Sequence, residues 1–493
     1  MFIIRQRHRL MSTAILSAML LVISADARSD NNPLRLPDMG ESVDQYMSAE
    51  QEQQLGTAFM RNVRRSLPVI DDPQIARYIQ SLGQRLATHS NQPQRRFRFF
   101  VVNNPNINAF AGPGGYIGVH SGLILAAQNE DELAAVLAHE LAHVTQRHLA
   151  RAYQSASNMS LPLTAAVIAA IILGGQANMG QVGEATLAAA AAGSAQQQIN
   201  FTRSNEQEAD RIGMQTLARS GYASDAMRRF FIRLQQADYY QEDSALEFLR
   251  SHPLTVSRIA GSDDPLATLQ PEMKINQGQT PDQTLFQLMQ ARIRVLTMTD
   301  TGRLAAYFNK QNLKSDANDF GQALTAIRQR QYDKARDILS GLLGKSPDNL
   351  SYTLASIENE LANGTTTRAL AILKDSLHLY PNDPPLTVLY ARTLLKDGQY
   401  DMAANMLRRY LRNVEPSPLL YSLLSEAEGK NDDPAAAHQA MAEYYFLNGD
   451  GPGALKQIQL ALEQGRNLSK NDRLRLESRR QEIKQVVSDE SGK

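Results

Sequence analysis

No cysteine occurs anywhere in the 493 residues. Disulfides are therefore excluded, and cohesion must come from apolar cores and, where donors allow, from bound metal. Net charge is missing too: Lys plus Arg and Asp plus Glu number 51 each. That balance removes the electrostatic argument for nucleic acid as the main partner, and the basic runs at Arg408-Arg409 and Arg473–Arg480 read as solvated helix faces. A third absence is an apolar run long enough to cross a bilayer, which takes about 20 residues. Leu10–Ile23 falls short of that length, and Leu161–Leu173 is also short and contains Pro162.

What is present begins with an export pattern. Arg5, Arg7 and Arg9 precede the apolar stretch Leu10–Ile23, and Ala25-Asp26-Ala27 has the small-x-small form of a cleavage site. Residues 1–27 are expected to be a signal peptide, leaving an exported protein without a stable membrane span, and a bacterial periplasm suits it. With 43% hydrophobic and 21% charged residues, the remaining chain can build two or three cored domains.

Periodicity divides that chain. From about 38 to 88 the pattern is helical and amphipathic, interrupted at Pro68 and Asp72-Pro73. Phe97–Asn103 and Tyr116–His120 read as strands, the second introduced by Gly112-Pro113-Gly114-Gly115. A helix is expected to start near Asn129, with Glu132 three residues on as in a capping box. The fold class expected for 28–265 is α+β, mostly helical with a small sheet.

Residues 266–319 read as a linker and helices leading into repeats. The repeats occupy 320–465: Ala335, Ala369, Ala403 and Ala437 recur every 34 residues, and Leu339, Leu373, Leu407 and Met441 follow at the same offset. That is the tetratricopeptide period, in which a small residue lets paired helices approach. Pro347 and Pro381 keep the spacing and Pro416 slips by one, and Ala454 in Gly-Pro-Gly-Ala-Leu suggests a fresh second helix out of register near the end. An all-α solenoid of this kind offers a concave surface to partner proteins. Residues 466–493 read as a charged tail.

The chemistry centres on His139-Glu140-Leu141-Ala142-His143. Residues four apart on a helix lie about 40° from one another, so both imidazoles face one way and can share a Zn²⁺. Glu140 projects beside them, placed to take a proton from water. Leu137, Leu141 and Val144 form the opposite, buried face. His148 lies about 140° from His143 and is not expected to be a ligand.

Two histidines leave a site incomplete, since a catalytic zinc takes three protein ligands. Glu206 and Asp210, four apart on a later helix, supply one ligand and one supporting acid, whereas Glu208 points about 200° away from Glu206. His252, in Ser251-His252-Pro253, has two readings: a turn or helix-start residue, or a fourth ligand that shuts the site. The glycine-containing stretch 161–192 is either a moving lid or packed core.

A histidine pair followed by Glu206-Gln207-Glu208-Ala209-Asp210 resembles the M48 family of gluzincin metallopeptidases, as does Asn108-Ala109-Phe110-Ala111-Gly112-Pro113-Gly114-Gly115. The resemblance covers about 45–265. It implies one zinc per chain held by His139, His143 and Glu206, with Glu140 and Asp210 catalytic. Joined to an export signal and repeats, it further implies a periplasmic endopeptidase in quality control of outer-membrane proteins. Its substrates would be unfolded or misassembled outer-membrane proteins, and its repeats would dock on the β-barrel assembly machinery. The rival from another class is a chaperone or scaffold whose zinc is structural. Structural zinc shells usually include cysteine, and this chain has none.

Overall fold

The computed structural model describes residues 48–149, 203–239, 283–310, 315–465 and 468–490, with short pieces at 164–165, 168–169, 248–249, 252 and 258. The expected signal peptide and most of 161–192 and 261–282 lie outside the described residues. Among those described, no helix is long and apolar enough to cross a membrane.

Two helices open the chain, α1 (Ala49–Ser66) and α2 (Pro73–Thr88). Asp72 caps α2 by accepting from the backbone N–H of Gln74 and Ile75, and Pro73 occupies the first turn, where its missing N–H costs nothing. Three strands follow: β1 (Arg98–Val102), β2 (Ala109–Ala111) and β3 (Tyr116–His120). The order is β1-β3-β2, with β1 parallel and β2 antiparallel to the central strand. The turn into β3 needs its glycines, because Gly114 and Gly115 have φ of 70° and 77°. Strand β2 is too short for a period-2 signal, and the sequence reading passed over it.

Next come α3 (Ser121–Ala126), α4 (Glu130–Thr145), α5 (Arg203–Arg219) and α6 (Ala226–Tyr239). Every residue of α4 is buried. It packs against the sheet through β2 and β3 and against α2, α5 and α6. Leu133, Leu137 and Leu141 are at most 1% exposed, each contributing about 1.5–3 kcal/mol by burial. The start at Asn129 is as expected, with its side chain accepting from the Glu132 N–H. The reciprocal half of a capping box is absent: the Glu132 carboxylate accepts instead from the Gln128 N–H at 2.8 Å.

Beyond these the chain is all helix: α7 (Thr284–Thr297), α8 (Thr301–Lys310), α9 (Asp316–Arg328), α10 (Tyr332–Lys345), α11 (Leu350–Asn363), α12 (Thr366–Leu379), α13 (Pro384–Lys396), α14 (Tyr400–Leu411), α15 (Pro418–Lys430), α16 (Pro434–Leu447), α17 (Gly451–Gln464) and α18 (Lys470–Glu490). From α9 onward successive helices pack on one another, the arrangement of tetratricopeptide repeats. Ala335, Ala369 and Ala403, with Leu339, Leu373 and Leu407, are fully buried, as the period requires. The fourth pair departs: Ala437 and Met441 are only half-buried, while Ala454 and Ile458 on α17 repeat the buried pattern. The register slips there because α16 packs its Ala442 and Phe446 against α17 and α18. Residues 470–490, read as a charged tail, form a helix that buries Leu476 and Ile483.

The repeats also pack on the preceding domain. Arg77 of α2 pairs with Asp383, Arg98 of β1 meets both Glu415 carboxylate oxygens at 2.6 Å, and the Arg61 guanidinium lies 4.7 Å over the Phe446 ring. Part of the repeat surface is therefore taken by the chain's own first helices.

Candidate metal centre

Helices α4 and α5 bring the candidate residues together because small residues let them touch. Ala142, Ala209 and Ile212 form one cluster, and Gly213 lies flat against α4, where a Cβ would sit 3.1 Å from the His139 backbone nitrogen. Gly213→Val is expected to force the helices apart, costing about 1–3 kcal/mol by overpacking and lowering metal content. Thermal melting alongside metal analysis checks this, and unchanged values for both would remove Gly213 from the site's support.

His139, His143, Glu206 and His252 each point one donor atom into a common space, all four within 4.8 Å of one another. The Nε2 atoms of His139 and His143 are 3.0 Å apart, and each is 3.5 Å from a Glu206 oxygen. His252 presents Nδ1 to Glu206 at 3.2 Å and to His139 at 3.4 Å. All four residues are at most 2% exposed. Buried imidazoles and a carboxylate, with no sulfur, are a donor set that zinc accepts.

The site attracts positive charge. Burial disfavours a charged His139, yet hydrogen bonds to Asp210 and Glu206, together with their charges, hold its pKa up at about 9. Burial, followed by the charge of His139, drives His143 the other way, below its ordinary value. Burial raises Glu206, but the charges and hydrogen bonds of His252 and His139 outweigh it and lower its carboxyl pKa. Glu206 thus faces the centre as a carboxylate, and a metal taken by His139 would displace the imidazole proton.

Around the four donors lies a supporting layer. The Asp210 carboxylate lies against His139, with Oδ1 2.9 Å from Nδ1. Arg258 clasps both Asp210 oxygens at 2.7 and 2.8 Å and reaches Glu206 at 2.9 Å, with Phe231 stacked beneath its guanidinium. Glu140 is 1% exposed, and its Oε1 is 3.4 Å from His252 Nε2. His252 thus stands between Glu140 and the other three donors. The sequence reading missed Arg258, 48 residues beyond Asp210 and carrying no local signal. It also set aside His148 and Glu208, which the structure joins to His143: His148 Nδ1 is 2.8 Å from His143 Nδ1, and its Nε2 is 3.0 Å from Glu208.

Residues 73–264 match peptidase family M48. The β-barrel assembly-enhancing protease of Escherichia coli (strain K12) is 36% identical over 487 residues, spanning 96% of this chain and 97% of its own length. The chain belongs to peptidase family M48. It is a metallopeptidase, and its tetratricopeptide repeats match that family's pattern over residues 360–427. A putative β-barrel assembly-enhancing protease of Vibrio cholerae is 35% identical over 436 residues, 87% of this chain and 88% of that protein. The mitochondrial metalloendopeptidase OMA1 of Schizosaccharomyces pombe is 30% identical over 184 residues, 37% of this chain and 50% of that protein. This last likeness covers 37% of the chain, whereas the two bacterial proteases cover 96% and 87% of it.

Proposed function

We propose that this chain is a periplasmic, zinc-dependent endopeptidase acting on misfolded or stalled outer-membrane β-barrel proteins, with repeats that hold clients or the assembly machinery. One observation carries the reading: His139, His143 and Glu206 converge with Glu140 beside them. The names of the two bacterial relatives support the β-barrel assembly role. The expected signal peptide at residues 1–27 supports export.

His139, His143 and Glu206 would hold the zinc, which supplies Lewis acidity to the scissile carbonyl and the attacking water. Glu140 takes the proton from that water and passes it to the leaving nitrogen. Asp210, set against His139 Nδ1 and itself clasped by Arg258, keeps the imidazole turned toward the centre. Strand β2, at the edge of the sheet and packed on α4, offers backbone pairing to an extended peptide without selecting its sequence.

His252 regulates this machinery in the same reading. Its Nδ1 fills the fourth donor position and its Nε2 faces Glu140, so water reaches the base only when His252 withdraws. If about a tenth of molecules are open, His252→Ala raises cleavage about tenfold, and the loss of a donor weakens zinc retention. Unchanged cleavage and unchanged zinc affinity would end the regulatory role.

A second reading draws on the same four-donor closure, because a shell without an open position suits structural zinc and a chaperone carried by the repeats. The two are separated by measuring zinc content and cleavage of an unfolded outer-membrane porin by the whole chain and by His252→Ala. Cleavage by either protein with about one zinc bound supports the peptidase. Zinc without cleavage in both puts the binding protein first.

A further inference from the structure

His148 and Glu208 lie outside the four-donor cluster, and neither takes part in the proton transfers above. His148 is fully buried, with its ring edge-on to His143 at 4.8 Å between centroids. Glu208 is one-third exposed and reaches inward to it across α5. We propose that His148 and Glu208 form a positioning arm that fixes the tautomer and ring orientation of His143. The proposal rests on the reading that His143 is a metal ligand.

The ring contacts fix where each proton sits. His143 turns Nε2 toward His139 and Glu206, so a metal taken there uses the Nε2 lone pair and the proton must sit on Nδ1. That Nδ1–H points at His148 Nδ1, 2.8 Å away, which must then be the acceptor. The neutral His148 ring consequently carries its own proton on Nε2, where the Glu208 carboxylate accepts it at 3.0 Å. Every donor in this row meets an acceptor. With a neutral His148, the opposite tautomer of His143 would leave two lone pairs facing one another or turn a ring nitrogen's lone pair toward Glu208.

The arrangement parallels the other imidazole ligand. His139 also faces the centre through Nε2, and its Nδ1 lies 2.9 Å from the Asp210 carboxylate. Each histidine of the pair is therefore backed by a carboxylate, one in direct contact and one through an interposed imidazole. Both carboxylates come from α5, as does Glu206, so a single helix supplies a ligand and the outer support of both histidines. A carboxylate behind a metal-bound imidazole raises its basicity and holds its ring, and losing such support costs about 10–100-fold in metal affinity.

The test uses the whole chain and zinc alone. Zinc dissociation constants are measured by chelator competition for wild type, His148→Phe, Glu208→Leu and Glu208→Gln. The visible spectrum of each cobalt-substituted protein and the melting temperature of each metal-stripped protein are recorded beside them. The expected result is zinc binding weaker by about 10–100-fold in His148→Phe. A smaller loss is expected in Glu208→Leu, with recovery toward wild type in Glu208→Gln, which keeps an acceptor for His148 Nε2–H. The cobalt ligand-field bands should shift in His148→Phe while the metal-stripped melting temperatures stay together. Zinc affinity equal to wild type in His148→Phe and Glu208→Leu would overturn the arm. So would equal destabilisation of the metal-stripped forms with an unmoved cobalt spectrum, which describes packing alone. If His148→Phe does not fold, the Glu208 pair decides by the same criteria. A wild type that binds no zinc would instead overturn the metal-ligand reading beneath it.

Discussion

Exchange of Glu140 for glutamine is expected to lower peptide hydrolysis by about 10²–10⁴-fold while zinc content stays at the wild-type level. Glutamine has nearly the same shape, so the fully buried α4 can accept it without opening a cavity. What it lacks is a basic oxygen able to take a proton from water. Glu140 is not among the four donors that share the central space, so the proposed ligands are untouched. The measurement is kcat/KM on an unfolded protein, with metal analysis of the same preparation. Full cleavage in Glu140→Gln would remove this residue from the chemistry. Lost cleavage together with lost zinc would mean that the variant had disturbed the centre instead.

A second large effect is expected far from the metal. Arg292 on α7 is 6% exposed and grips both Asp72 oxygens at 2.9 and 2.6 Å. It also grips both oxygens of Glu358 on α11, at 3.0 and 2.7 Å. One guanidinium thus ties the cap of α2 to a repeat helix. Arg292→Met would take the cation from both carboxylates. Asp72 would keep its two α2 N–H groups and Glu358 its Gln74 contact, so the cost falls at the low end for broken buried pairs, about 3 kcal/mol. Thermal or denaturant unfolding checks the figure. A loss under about 1 kcal/mol would place the trio with ordinary surface pairs. Adding Asp72→Asn and Glu358→Gln to Arg292→Met should recover part of the loss, since no unpaired charge then remains.

The same contacts have a pH signature. Burial pushes the Asp72 carboxyl up, but the Arg292 charge and hydrogen bonds, with the two α2 N–H groups, outweigh it and hold the pKa below its ordinary value. A carboxylate lowered on folding stabilises the protein fully above its unfolded pKa of about 3.9, and that stability is lost as pH falls through the lower folded value. Stability should therefore decline below about pH 4, and Asp72→Asn should flatten that part of the curve.

How much of this was legible beforehand follows from how far each interaction reaches along the chain. The shared face of His139 and His143, the flank position of Glu140, the cap at Asp72-Pro73 and the start at Asn129 are matters of residues at most four apart, set by the helical repeat. The same repeat ranked Glu206 and Asp210 above Glu208 as partners of the metal pair. The 34-residue recurrence of Ala and Leu was readable because each repeat buries the same positions against its neighbour. It slipped at Ala437, where α16 turned its Ala442 and Phe446 to α17 and α18. Ala454 marked the change of register in the sequence, but the packing partners that caused it were not readable there.

Tertiary structure decided the rest. His252 meets His139 across 113 residues, Arg258 meets Asp210 across 48, and His148 meets Glu208 across 60. Arg292 and Asp72 are 220 residues apart. No period links such positions, and a lone arginine or histidine looks the same in sequence whether it is solvated or buried. The sequence by itself therefore determined which donors one helix can aim at a metal and that repeats follow. Only the fold determined which distant side chains close that centre, support it and fasten the repeats to it, because desolvation and the pairing it demands exist only once the elements are packed.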